Sequence, residues 1–198
     1  MSEPSLPQLV VSHWQPSAVP MLAGAGAALL YLLASSRLRA RWPARRTVSF
    51  LAGVASVLVA LDSGINSYDD RLLSIHMVQH LILLLIAPLL LLCGQPLLLA
   101  LRALPPKRRS GLARAISRLR RLAHPLACIS IFSGAVLFTH LPFFYEATLR
   151  HPDLHDAEHA IYVLAGLLLW WPVLDVDPAR SRRLGGLGRL AYVLAAMP

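Results

Sequence analysis

Long apolar blocks separated by short charged stretches are the feature that most constrains this chain. Five blocks, over residues 19–36, 48–61, 75–101, 122–141 and 157–174, have about the length that a helix needs to cross a bilayer core. A sixth begins near residue 187 and is cut short at residue 198. Only 15% of the residues are charged, far fewer than in an ordinary soluble domain. The pattern predicts an all-α, polytopic transmembrane helix bundle with five full spans and a truncated sixth.

Three parts of the chain add detail to this prediction: its two ends and the third apolar block. Residues 1–17 lack the positive n-region and the cleavage site of a secretory signal peptide, so we expect an N-terminal tail. Residues 18–198 then form a single transmembrane domain, which we expect to be incomplete at its C-terminus. In the third block, Pro88, Gly94 and Pro96 should kink the helix or end it early, because proline removes a backbone hydrogen bond and crowds the preceding turn.

The distribution of basic residues predicts the orientation. The connections after the first, third and fifth blocks hold 17 of the 19 lysines and arginines, and the remaining two are Arg71 and Arg150. Because short cytoplasmic loops are rich in lysine and arginine, the N-terminus should lie outside the cytoplasm. The net charge of +9 therefore reflects topology and does not indicate a nucleic-acid partner. The two cysteines, Cys93 and Cys128, lie inside apolar blocks, which excludes a disulfide-rich secreted protein.

In this topology, seven of the eight histidines lie on the outer side of the membrane. Four of them form two copies of an HxxxH pattern, His76 with His80 and His155 with His159, whose spacing places each pair on one helix face. Both pairs lie in the first turns of their helices, the second just after a predicted N-cap at residues 152–153. His140 ends the fourth helix on the same side, so three helix ends can bring five imidazoles together.

This cluster predicts a metal site formed by His76, His80, His140, His155 and His159. Imidazole suits copper, zinc, iron and nickel, so copper is a candidate and zinc or haem stay open. Met77 lies about 100° away from His76 on an ideal helix, which leaves its part undecided. Glu158 and Asp156 either orient the ligands by hydrogen bonds or are favourable charges in the first turn of a helix. The alternative for the histidines themselves is interfacial packing or a hydrogen bond to a carbonyl, without a metal.

Two stretches carry a resemblance to a known family. Residues 76–105, HMVQHLILLLIAPLLLLCGQPLLLALRALP, and residues 138–174, FTHLPFFYEATLRHPDLHDAEHAIYVLAGLLLWWPVL, resemble the integral-membrane cytochrome c oxidase assembly factor CtaG family, which serves caa3-type oxidases. The ending RLAYVLAAMP is similar to the next helix of that family. The resemblance implies a multi-pass protein of the bacterial cell membrane, with the five histidines on the periplasmic or extracellular side. Its implied partners are cytochrome c oxidase subunits and the lipid bilayer.

The function implied is non-enzymatic: help in assembling a haem–copper oxidase, by handling copper through the histidine cluster. A bis-histidine haem protein that carries electrons is one alternative, and a copper importer or resistance protein is another. An importer needs a polar path through the bundle, and the inner halves of the blocks are almost wholly apolar. No nucleic-acid partner, small-molecule substrate or catalytic constellation is indicated.

Overall fold

The computed structural model describes residues 14–38, 41–68, 73–122, 124–174 and 184–196, and within these ranges the chain is helical with no strand. Eleven α-helices and one π-helical segment (Ile82–Ile86) follow one another in the described ranges. The helices are α1 (Ala18–Leu38), α2 (Ala44–Asp62), α3 (Gly64–Tyr68), α4 (Leu73–Leu81), α5 (Ala87–Cys93), α6 (Pro96–Ala103), α7 (Pro106–Leu122), α8 (Pro125–Thr139), α9 (Pro142–Arg150), α10 (Pro152–Trp170) and α11 (Gly186–Ala196).

Three helical stretches are long and apolar enough to cross a membrane: Ala18–Leu38, Ala44–Asn66 and Ser74–Ala103. A fourth span results if α8 and α9, which meet at an angle of 66°, are counted together. The all-helical class predicted from the apolar blocks is therefore confirmed for the described residues, and the apolar helices indicate a membrane protein. The count of five spans stays a prediction, since α10 carries three carboxylates in its first two turns and is not among these candidate spans. The outward N-terminus stays a prediction as well.

The third apolar block is interrupted twice. α4 passes into the π-helical segment directly before α5, whose second residue is Pro88. A π-turn loosens the hydrogen-bond ladder in the region where a proline ring would otherwise meet the carbonyl of Leu84. The second interruption follows Cys93, where Gln95 takes a left-handed conformation with φ 51° and Pro96 begins α6. The α-helix thus ends early, as expected, although the apolar stretch continues to Ala103.

Side chains of neighbouring helices stabilise this interrupted stretch. No water is present in a bilayer core to hydrogen-bond freed carbonyl groups, so the protein itself must supply the donors. Three helices do so through a hydroxyl or indole group: Tyr31 donates to the carbonyl of Gly94 (2.7 Å), Ser49 to that of Leu90 (2.8 Å) and Trp170 to that of Leu85 (3.0 Å). These contacts tie α1, α2 and α10 to the third block.

α10 packs closely against the π-helical segment. A Cβ atom added at Gly166 would lie 2.1 Å from the carbonyl oxygen of Leu84 and 2.6 Å from Cγ of Pro88. Only glycine therefore permits this approach, which small residues commonly allow between membrane helices. One turn earlier, Tyr162 is fully buried in the larger core cluster with residues of α8. α10 is thereby held at a fixed depth and rotation against both neighbours.

Several helix ends meet at one end of the bundle. α2 ends at Asp62, whose buried side chain accepts a hydrogen bond from the backbone N–H of Ser17 at the start of α1 (2.8 Å). α8 also ends here, and α4 and α10 both begin here, because neighbouring spans run in opposite directions. We call this the histidine end, since it holds the two HxxxH pairs.

The structure corrects the sequence-based boundaries in two places. The connection between the fourth and fifth blocks contains a helix, α9. α10 begins at Pro152 with His151 at the N-cap, so the N-cap predicted at residues 152–153 is wrong. Proline fits the first helical position because its missing N–H is not needed there. The tail residues 1–13, Arg71 and the basic residues 180, 182 and 183 lie outside the described residues.

Candidate metal centre

The site is formed between one face of α4 and one face of α10. α4 buries His76, Gln79 and His80, whose i, i+3, i+4 spacing places them on one side of the helix. α10 turns a matching stripe toward it, formed at the same spacing by His155, Glu158, His159 and Tyr162. Because both helices begin at the histidine end, the stripes lie at similar depth.

Three imidazoles form the closest group, which we call the three-histidine group: His76, His80 and His155. One ligand nitrogen from each lies within 4.8 Å of the others, and no other such trio of histidine, cysteine or acidic residues occurs among the described residues. Nitrogens that share a metal ion at about 2.0–2.1 Å lie at most about 4.2 Å apart. Small side-chain rotations would therefore bring the trio onto one ion.

His80 provides the strongest indication that something binds there. It is 2% exposed, and neither ring nitrogen has a hydrogen-bond partner among the described residues. Leaving a buried polar atom unpaired costs about 1–3 kcal/mol, and such atoms are rare in native proteins. The ring lies against His76 (centroids 4.0 Å apart) and Tyr162 (4.4 Å), neither of which gives it a hydrogen bond. A bound metal ion would satisfy one of the two nitrogens.

His159 is held differently from the trio. Gln79 donates its amide N–H groups to the carbonyl of Ala60 (2.9 Å) and to Oδ1 of Asn66 (2.8 Å). A carbonyl oxygen can only accept, so the amide orientation is fixed and Oε1 of Gln79 faces His159. Nε2 of His159 lies 3.2 Å from Oε1 and must donate to it. His159 therefore orients the site through its packing on His155 (centroids 4.3 Å apart) and lies outside the three-histidine group.

His140 lies at the edge of the cluster, as the sequence predicts. Its ring is exposed and stands 6.2 Å from that of His80, centroid to centroid. Nδ1 lies 2.8 Å from the carbonyl oxygen of Val136 and donates to it. The neutral ring then keeps its lone pair on Nε2, the arrangement in which ligating histidines are usually held.

A buried polar chain lies beside His80. The hydroxyl of Tyr162 donates to Oε1 of Glu158 (2.8 Å) and lies 2.7 Å from the hydroxyl of Thr139. Glu158 is 3% exposed and is thus fixed by a tyrosine, whereas Asp156 is exposed. Glu158 is linked to His80 through Tyr162, which packs on that ring, and a hydrogen bond from a ligating histidine to either carboxylate stays a prediction.

The structure thus brings the five predicted histidines together, and His76, His80 and His155 are the group of three whose nitrogens lie closest among the described residues. Sequence reasoning overlooked Gln79, Thr139 and Tyr162. The position of Gln79, three residues after His76 on the same helix face, is the signal that could have indicated it. Thr139 and Tyr162 lie in apolar blocks with no comparable signal. Neither cysteine belongs to the trio.

Comparisons with known proteins agree with the resemblance seen in the sequence. Proteins of Mycobacterium bovis and Mycobacterium tuberculosis are each 29% identical to the chain over 96% of its length. A protein of Mycobacterium leprae is 30% identical over 79% of the chain. The chain spans only 25–30% of the length of these curated relatives. No solved structure matches the chain. The family model for the cytochrome c oxidase caa3 assembly factor matches residues 29–198, and the chain belongs to that family.

Proposed function

We propose that the chain handles copper during assembly of a haem–copper oxidase, through the three-histidine group. The observation that carries the proposal is His80, a buried imidazole whose two nitrogens are unpaired beside two further imidazoles. Neutral imidazoles suit copper well, and a protein that helps assemble an oxidase has a use for this metal. Copper is the cargo in this proposal, and the chain performs no catalysis.

Zinc would fit the same three nitrogens, so the choice of copper rests on the family. The oxidase subunits are the proposed recipients. Their contacts belong to the proposal as well, since the chain covers only part of its relatives' length.

The haem alternative would place a haem between α4 and α10, held by one histidine of each helix. Axial histidines of a haem lie on opposite faces of a flat macrocycle, with the iron between them. Across these two helices the ring centroids are 5.9 Å apart for His76 and His155 and 6.2 Å apart for His80 and His159. The choice of copper over haem therefore rests on the family and is tested by the spectrum of the purified chain.

Copper binding by the purified full chain in detergent tests the proposal. Titration with Cu(I) against a coloured Cu(I) chelator should show one tightly bound ion per chain. His80→Ala and His155→Ala should each weaken binding by at least about tenfold, because loss of even an outer partner of a metal ligand costs that much.

His124→Ala is the matched control, since His124 is exposed and lies before α8 at the other end of that helix. It should bind copper as the wild type does. Absence of Cu(I) binding by the wild type, or unchanged binding by both cluster variants, would contradict the proposal. A Soret band in the purified chain would favour the haem alternative instead.

A further inference from the structure

Met77 follows His76 in the chain but lies on a different side of α4. His76 packs beside His155, with centroids 5.9 Å apart. Met77 instead lines a cavity of about 580 Å³, and the same cavity is lined by His80 and His140. The side chain is 41% exposed, and its spacing of three residues from His80 places the two on neighbouring positions of the helix surface. A thioether and two imidazoles therefore line one cavity.

Two of the imidazoles that line this cavity lie within reach of one metal ion. A metal–nitrogen bond is about 2 Å long and the ring centre lies about 1.1 Å behind the nitrogen, so two imidazoles on one ion have centroids at most about 6.2 Å apart. The centroids of His80 and His140 are 6.2 Å apart. His140 keeps its lone pair on Nε2, and neither ring nitrogen of His80 has a hydrogen-bond partner among the described residues. The lone-pair nitrogen of His80 can therefore keep the ion in both positions.

The rest of the cavity selects the kind of ion. Its other walls are almost wholly apolar and include side chains such as Leu81, Phe132, Val136 and Trp170. A hard divalent cation would need more oxygen or nitrogen ligands than such walls offer. Cu(I) is soft, favours thioether ligands and tolerates few of them.

We infer that Met77, His80 and His140 form a second position for Cu(I), next to the three-histidine group and connected to it through His80. This inference rests on the proposed function. In the transfer, bonds from copper to His76 and His155 break, and bonds to the sulfur of Met77 and to Nε2 of His140 form. Copper stays Cu(I) and no proton moves, because every ligand is neutral. The second position is the one from which copper leaves, on the cavity side.

X-ray absorption of the Cu(I)-loaded full chain in detergent tests this inference. His155→Ala removes one ligand of the three-histidine group and should confine copper to the second position. Its spectrum should show one sulfur neighbour beside nitrogen neighbours. Adding Met77→Leu should remove the sulfur signal, whereas Met21→Leu should not, since Met21 lies on α1 with a similar exposed fraction of 39%.

A second measurement leaves the three-histidine group intact. In an otherwise unchanged chain, Met77→Leu should keep one bound Cu(I) but should slow its release to a competing chelator, because the second position loses its sulfur ligand. The expected factor is about tenfold, the size of the affinity loss when a metal site loses one contact. Met21→Leu should release copper at the wild-type rate. Leucine is close to methionine in size, so the fold should tolerate both changes.

The outcomes separate this inference from the proposed function. Copper bound by nitrogen alone in His155→Ala, together with wild-type release from Met77→Leu, overturns the second position and leaves the three-histidine proposal standing. Loss of all copper from His155→Ala also overturns it. Failure of the wild-type chain to bind Cu(I) overturns the proposed function itself.

Discussion

Replacing Gln79 with methionine tests whether the site is held together as the structure indicates. The side chain is fully buried and connects three elements, through Ala60 of α2, Asn66 of α3 and His159 of α10. Methionine keeps the length and the apolar stem but removes all three hydrogen bonds. The packing of the site should therefore change little, while its polar connections are lost.

The expected loss of stability follows from the burial of each partner. His159 is 3% exposed, so its orphaned N–H should cost about 1–3 kcal/mol. Asn66 is half-buried and the Ala60 carbonyl lies within a helix, so together they should add about 1 kcal/mol. The total of about 2–4 kcal/mol corresponds to a decrease in Tm of roughly 5–15 °C for a chain of this size.

Thermal unfolding of the purified chain in detergent measures this decrease, and a double-mutant cycle assigns it. His159→Phe removes the N–H while keeping a buried ring of similar shape. If the bond between Gln79 and His159 is real, the double variant should be more stable than the sum of the single effects predicts, by about 1–2 kcal/mol. Strict additivity, or a Tm for Gln79→Met within about 1 °C of wild type, would refute the reasoning.

Three further changes test the packing, the polar chain and the topology. Gly166→Ala should destabilise the chain by about 3 kcal/mol or more because its Cβ would collide with backbone, whereas Gly134→Ala, with open space around its Cβ, should leave the Tm unchanged or raise it. Tyr162→Phe leaves Glu158 without its donor and should lower stability by about 1–3 kcal/mol in the same unfolding assay. A reporter active only outside the cytoplasm should be active when fused within residues 142–152; activity from a fusion near Arg108 instead would reverse the predicted orientation.

Helix positions and the gathering of the histidines could be predicted because both depend on spacing along the chain. A run of about 20 apolar residues has one common outcome in a membrane, and an HxxxH pattern fixes which side chains share a helix face. The interruption near Pro88 followed from the chemistry of proline itself. Metal binding by the five histidines remains a prediction.

What could not be predicted depends on contacts between helices. The HxxxH spacing shows no difference between His155 and His159, yet Nε2 of His159 donates a hydrogen bond to Gln79 of another helix. The ideal helix places Met77 away from His76 but does not show that Met77 and His140 line the same cavity. The role of Gly166 likewise depends on the carbonyl of Leu84, 82 positions earlier in the chain.

The copper-to-haem ratio of the oxidase tests the central claim most directly. In cells whose only copy of this protein carries His80→Ala, oxidase purified from the membrane should contain haem but should have lost most of its copper. Cells with His124→Ala should yield oxidase with the wild-type ratio. A normal copper-to-haem ratio in the His80→Ala cells, with the variant present in the membrane, would contradict the account.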